Sequence, residues 1–226
     1  VLSKAFDNGM ICASEQAAIV DTEHYKEFIE LMKKHHVYFV NKEEKAKLEE
    51  LVFGAKANSK NCAGAKLNAQ VVGKSAEHIA ELAGFEVPKG TVILAAEVKE
   101  VGENEPLTRE KLSPILAVLK SISTEDGIEK SRQMVEFNGL GHSAAVHTQD
   151  EEVAEQFGKV VPACRILWNS PSTFGGIGDI YNALIPSLTL GCGSYGGNSV
   201  SGNIGAVNLL NYKIIGRRNN NLQWYK

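Results

Sequence analysis

The stretch Phe6-Asp7-Asn8-Gly9-Met10-Ile11-Cys12-Ala13-Ser14-Glu15-Gln16 sets a cysteine behind an Asp-Asn-Gly turn and ahead of a Ser-Glu pair. Asn-Gly gives the backbone freedom for a tight loop. Ser14 and Glu15 suit the first turn of a helix, whose positive end would favour a thiolate beside it. A thiolate attacks carbonyl carbon readily, so covalent catalysis is the chemistry on offer. Cysteine is also among the most buried residue types, and the same pattern fits a structural Cys12. At this point both readings stand.

Two further residues could move protons or bind. His142 lies in Asn138-Gly139-Leu140-Gly141-His142-Ser143, where a helix is expected to pass into a strand. Flanking glycines let an imidazole project from the backbone, and imidazole suits proton transfer near neutral pH. A hydrogen-bonded structural histidine fits equally well, and doubly wound folds gather ligands at the other end of their strands. Glu110, in Thr108-Arg109-Glu110-Lys111-Leu112-Ser113-Pro114, ends a charged loop at a Pro-marked strand entry, where a solvated charge is the simpler reading. His24, His35, His36, His78 and His147 fall on helix or strand faces and read as structural or solvated. The glycine-rich stretches 174–179 and 190–198 contain neither GxGxxG between strand and helix nor Gly-Lys-Ser/Thr, so close backbone passage explains them better than phosphate binding.

These residues need elements to hold them. Apolar runs and helical spacing predict strands at 16–20, 37–40, 91–98, 115–121, 143–148 and 165–168. Helices are predicted at 24–36, 42–53, 75–83, 125–137 and 151–160, the first after an Asp21-Thr22-Glu23 capping signature and the third ended by Gly84. Residues 54–65 read as a loop, and 208–216 as a terminal strand with no nearby partner. Near-continuous apolar strands alternating with helices predict an α/β, doubly wound, mostly parallel sheet covered on both faces.

The chain has 226 residues, 43% hydrophobic and 23% charged, which suits one large or two small globular domains. A net charge of −3 without a basic run gives no reason to expect nucleic acid. The longest apolar runs are too short to span a bilayer. Cys12, Cys62, Cys164 and Cys192 form no CxxC pair, so the spacing offers neither a zinc site nor a disulfide scaffold, and a reducing, cytoplasmic compartment is expected. The chain opens at Val1 and reaches Cys12 almost at once, which reads as a piece of a longer protein.

Six stretches carry a resemblance: FDNGMICASEQ (6–16), IAELAGF (79–85), EKLSP (110–114), GLGH (139–142), GIGDIY (176–181) and PSLTLGCGSYGGNS (186–199). In this order they resemble the aldehyde dehydrogenase superfamily, and within it the CoA-acylating acetaldehyde dehydrogenase half of bifunctional aldehyde–alcohol dehydrogenases. Residues 219–226 resemble the point where that half runs toward a linker and an iron-dependent alcohol dehydrogenase half. The resemblance implies a catalytic domain over 1–205 and an oligomerisation strand and tail over 206–226. It implies Cys12 as nucleophile, Glu110 as the residue holding the nicotinamide ribose, and His142 as the group handling the CoA thiol proton. Non-acylating relatives write Glu-x-Phe-Gly-Pro where this chain has Glu110-Lys-Leu-Ser-Pro. The cofactor implied is NAD, with coenzyme A as co-substrate and no metal. The implied reaction interconverts acetaldehyde and acetyl-CoA in a cytoplasmic homo-oligomer of fermentative metabolism, with neither nucleic acid nor membrane as partner. In the family, the dinucleotide-binding domain and the oxyanion-binding asparagine lie upstream of the cysteine, so the chain by itself is expected to bind NAD poorly. Two alternatives remain: a structural assembly fragment inactive alone, and a hydrolytic or phosphorylating aldehyde dehydrogenase relative. Whether acyl transfer needs CoA, water or phosphate separates the enzymatic readings.

Overall fold

A computed structural model describes residues 1–54 and 66–218. From the amino end, α1 (Leu2–Ala5) and a 3-10 turn (Phe6–Gly9) lead through the Cys12 stretch into β1 (Ala17–Asp21). There follow α2 (Tyr25–Lys34), β2 (Val37–Phe39), α3 (Lys42–Phe53), α4 (Ala76–Ala83), β3 (Ile93–Glu97) and β4 (Ile115–Ser121). The four strands pair in the order β1-β4-β3-β2, all parallel. β4 is buried at every position except Lys120, as a strand covered on both faces must be. Lys120 lays its ammonium 4.4 Å from the Tyr25 ring centroid.

Alternation along β3 divides the core in two. Leu94 and Ala96 pack with Leu48 and Val52 of α3 and Ile79 of α4, while Ile93 and Ala95 pack with Tyr25 and Met32 of α2. The bounds of α3 follow from its caps. Asn41 accepts from the N–H groups of Glu43 and Glu44, and the Glu44 carboxylate accepts in return from the Asn41 N–H. The Asp21 signature acts differently from expectation. Its carboxylate accepts from the Glu23 N–H in a turn, and α2 starts later, behind an uncapped His24.

α5 (Thr124–Asn138) packs against β1, β4 and the next strand, so it joins two parts of the molecule. β5 (Gly141–Val146), α6 (Glu151–Val160) and β6 (Ala163–Trp168) form the second part, a separate parallel pair β5–β6. The doubly wound parallel architecture is therefore divided between two sheets, where one was expected. β1 takes the edge of β4 that a strand following α5 would otherwise fill. Of the stretch 174–179, expected as a loop, residues 174–177 belong instead to α7 (Ser172–Ile177), which opens after Pro171 and ends at Gly178. Residues 208–216 join no ladder among the described residues, and Ile214 and Ile215 stand 93% and 95% exposed. The loop expected at 54–65 lies, from residue 55 on, outside the described residues, as do Cys62 and residues 219–226.

Candidate active site

Three successive left-handed residues make the turn that presents Cys12: Asp7 (φ 49°), Asn8 (φ 51°) and Gly9 (φ 70°). Asp and Asn tolerate this region better than other residues with a Cβ, so the sequence Asp-Asn-Gly is fitted to it. Gly9 is also required by contact, since a Cβ there would stand 2.5 Å from the Ser113 carbonyl oxygen. The Asn8 amide donates to the Gly73 carbonyl at 3.0 Å, and the Gly73 N–H donates to the Leu112 carbonyl at 3.0 Å. The turn is thereby seated on the Glu110–Pro114 segment. Cys12 is exposed at its tip, and Ala13 and Ser14 beneath it are buried.

The helix expected to start at Ser14–Glu15 does not form. The Glu15 carboxylate accepts from the Ser3 hydroxyl at 2.6 Å and from the Ser172 N–H at 2.9 Å, and the chain runs directly into β1. With no helix end beside it, the Cys12 thiol is held above its ordinary pKa rather than below it. Although the residue is exposed, desolvation of its sulfur is the largest cause; Glu110 and Cys192 add to it, and the N–H groups of Cys12 and Ala13 oppose it.

Two lysines lie beneath the turn. Lys111 is wholly buried and donates from Nζ to the carbonyls of Gln16 (3.1 Å), Leu107 (2.6 Å) and Arg109 (2.7 Å). Burial, then Lys4, pushes its pKa well down. Lys4, 2% exposed, has no hydrogen-bond partner for Nζ among the described residues. Burial lowers its pKa to about 7 against the pull of Glu15 and Glu110. Glu110 itself is exposed, and its N–H donates to the Asn138 side chain at 2.7 Å.

His142 is the second residue of β5 and partly buried, with Nδ1 3.0 Å from the Ser143 hydroxyl oxygen. Burial, then the Arg165 guanidinium, holds its pKa below 6.5, so the ring is neutral at pH 7. Arg165, in β6, is 4% exposed and donates to the His142 carbonyl at 2.9 Å. Its charge draws the Cys192 thiol's pKa down against the upward push of burial. Glu110 and Cys192 both raise the Cys12 thiol's pKa, and Arg165 joins the His142 carbonyl to that of Gly191, the residue before Cys192. All three sequence-predicted residues lie at the amino ends of strands β1, β4 and β5, opposite to the usual ligand end of doubly wound sheets. Arg165 was missed, although a single charge inside the apolar run Ala163–Trp168 was a readable signal.

The chain matches no family model. It is 72% identical over all its 226 residues to an aldehyde-alcohol dehydrogenase of Streptococcus pneumoniae, of which it covers 26%. It spans about a quarter of the length of the aldehyde-alcohol dehydrogenases it matches. Among solved structures, a probable aldehyde dehydrogenase of Listeria monocytogenes aligns over 99% of this chain and 48% of its own, with 37% identity and a TM-score of 0.90. An acetylating aldehyde dehydrogenase of Geobacillus thermoglucosidasius aligns over 96% and 47%, with 39% identity and a TM-score of 0.84. Sequence and fold together place the chain among the aldehyde dehydrogenases. More narrowly, the relatives it matches are named as aldehyde-alcohol dehydrogenases and, among solved structures, an acetylating aldehyde dehydrogenase.

Proposed function

We propose that this chain is the catalytic-cysteine portion of a CoA-acylating acetaldehyde dehydrogenase, interconverting acetaldehyde and acetyl-CoA. The observation that carries this reading is convergence. An exposed cysteine stands on a turn seated on the Glu110–Pro114 segment, and its neighbour Ala13 packs on Gly176, whose carbonyl accepts from Asn203, the partner of the Arg165 that also holds the His142 carbonyl. The Cys12 thiol adds to the aldehyde carbonyl, its proton passing to the carbonyl oxygen, to give a thiohemiacetal; loss of hydride from carbon and of the hydroxyl proton to solvent then leaves an acyl thioester on Cys12. NAD, when bound, supplies the hydride acceptor. Exposed Glu110, beside Cys12, offers carboxylate oxygens fitted to ribose hydroxyls and is the residue of this chain that would hold them. The N–H of Cys12 is an oxyanion donor on the attacked carbon's side, a role worth about 3–4 kcal/mol where geometry is good. His142, neutral at pH 7, takes the proton of the incoming CoA thiol, whose thiolate then receives the acyl group.

A homo-oligomer is part of this reading, built through residues 208–216, whose exposed Ile214 and Ile215 have no cover within the chain among the described residues. The cytoplasm is its compartment, on the ground of scattered cysteines without paired spacing. No helix among the described residues is long and apolar enough to cross a membrane.

The test is a rapid-mixing experiment on the full-length protein with acetaldehyde and NAD. A burst of NADH should appear without CoA, with an acetyl group on the Cys12 peptide by mass spectrometry that added CoA removes. Discharge of that group by water or phosphate at the same rate as by CoA would overturn the acylating assignment.

A further inference from the structure

Arg165 is buried among neutral partners and forms no ion pair with a carboxylate among the described residues. Its Nε donates to the Asn203 side-chain oxygen at 2.8 Å, and Nη1 to the His142 carbonyl at 2.9 Å and, more distantly, the Ser143 hydroxyl at 3.4 Å. Nη2 reaches the carbonyls of Gly191, Ser201 (3.1 Å) and Gly202 (3.4 Å). Burying a guanidinium without a counter-ion is costly even when every N–H is satisfied, so its place in a strand otherwise apolar asks for a reason.

Where the fork leads supplies one. Ser143 Oγ lies between Arg165 Nη1 and His142 Nδ1, 3.0 Å from the ring nitrogen. A serine oxygen can accept from both the guanidinium and Nδ1–H, an arrangement that leaves Nε2 free to take a proton. Backbone and ring of His142 are thus fixed by one side chain. On its other flank, the Asn203 amide donates to the carbonyls of Gly176 (3.0 Å), Ile177 (3.3 Å) and Ile185 (2.7 Å). Gly176 of α7 lies against Ala13, where a Cβ would come within 3.3 Å of the alanine methyl. A continuous path therefore runs from the residue next to Cys12, through α7, Asn203 and Arg165, to His142.

We propose that Arg165, braced by Asn203, is the positioning residue that sets His142 against the Cys12 turn. This rests on the roles given above to Cys12 and His142 and deepens them. The experiment uses the full-length protein with His142→Ala, Arg165→Lys, Asn203→Ala and the two doubles carrying His142→Ala. Acylation is read from the NADH burst and discharge from loss of the acyl group on adding CoA. Arg165→Lys keeps the charge but loses the fork, and Asn203→Ala keeps the guanidinium but loses its brace. Each should slow discharge at least about tenfold with less than about threefold change in acylation, the scale of coupling within one hydrogen-bond network. In the His142→Ala background the same substitutions should change discharge by less than about twofold, because their effect passes through the histidine. Losses that multiply in that background, or acylation and discharge falling together, overturn the proposal. Should Arg165→Lys fail to fold, Asn203→Ala decides by the same criteria. If His142→Ala slows discharge but neither substitution does, only the positioning role falls. Normal discharge in His142→Ala removes the histidine's role and, with it, this one.

Discussion

The β1–β4 sheet is sealed on both faces by apolar side chains, with Leu48, Val52, Ile79, Ile93, Leu94 and Ile115 all at 0% exposure. The β5–β6 pair is built otherwise. One side has a small cluster of Ile128, Phe157 and Val161, and the other buries a guanidinium among carbonyl oxygens. Apolar packing is non-directional and holds an element firmly wherever shape allows. A hydrogen-bonded fork fixes one group at one angle. In the proposed reaction the first region supplies the platform for the Cys12 turn and Glu110, and the second aims His142.

That difference can be broken at either end. The largest effect should come from Cys12→Ala, which removes the only group able to hold the acyl chain in the proposed reaction. CoA-dependent aldehyde oxidation should fall by about 10⁴-fold or more, as when other covalent nucleophiles are removed. A steady-state assay with near-normal turnover would show that Cys12 is structural. Next comes Leu94→Ala in β3, wholly buried in the sealed region. It should cost about 2–5 kcal/mol of stability in urea titration, with turnover per folded molecule nearly unchanged. A large loss of turnover with little loss of stability would reverse the division between platform and aiming device.

Gly9→Ala tests the contact between the turn and its platform. The added Cβ meets the Ser113 carbonyl, and φ of 70° is costly for alanine. A strain of about 1–3 kcal/mol is expected. Relieving it by a shift of about 1 Å would lower the acylation rate about 10²-fold. Ser113 and Glu110 belong to the same segment, so the apparent affinity for NAD should weaken too. Unchanged acylation with lowered stability would mean that the turn is not held by this contact.

Much of the first region was legible because its signals are local. α3 was bounded correctly at Lys42–Phe53 by its amphipathic spacing, and β4 at Ile115–Ser121 by a preceding proline and a nearly continuous apolar run. The site was less legible because its geometry depends on contacts between distant segments. Asp7 and Asn8 reach positive φ in a turn seated on Ser113, and Glu15 was drawn from a helix start to the Ser172 N–H. Cys12, Glu110 and His142 were all singled out from residue type and resemblance. The device linking His142 to the rest, Arg165, shows only when β6 and the 191–203 segment are laid against β5. Splitting of the sheet was likewise invisible, since strand periodicity says nothing about which edge a strand takes.

The smallest expected effect is a pH dependence that separates the second region from the first. Burial, and after it the Arg165 charge, lowers the His142 pKa in the folded protein from its ordinary 6.5. Below 6.5 the unfolded chain takes up this proton before the folded one does, so acid favours unfolding. The contribution to stability is complete above 6.5 and is lost as pH falls toward the folded value. Replacing His142 by asparagine removes the titration while keeping a polar side chain. Wild type should therefore lose more stability than His142→Asn between pH 7.5 and pH 5 in matched urea titrations, by less than Leu94→Ala costs at either pH. Discharge of the acyl group by CoA should follow the same group, falling on the acid side below pH 6.5 in wild type and losing that limb in the variant. An acid limb above 6.5 would mean that the ring is stabilised as a cation. It would then be paired with a carboxylate, and the description of the second region as a cation held among neutral oxygens would have to be redrawn.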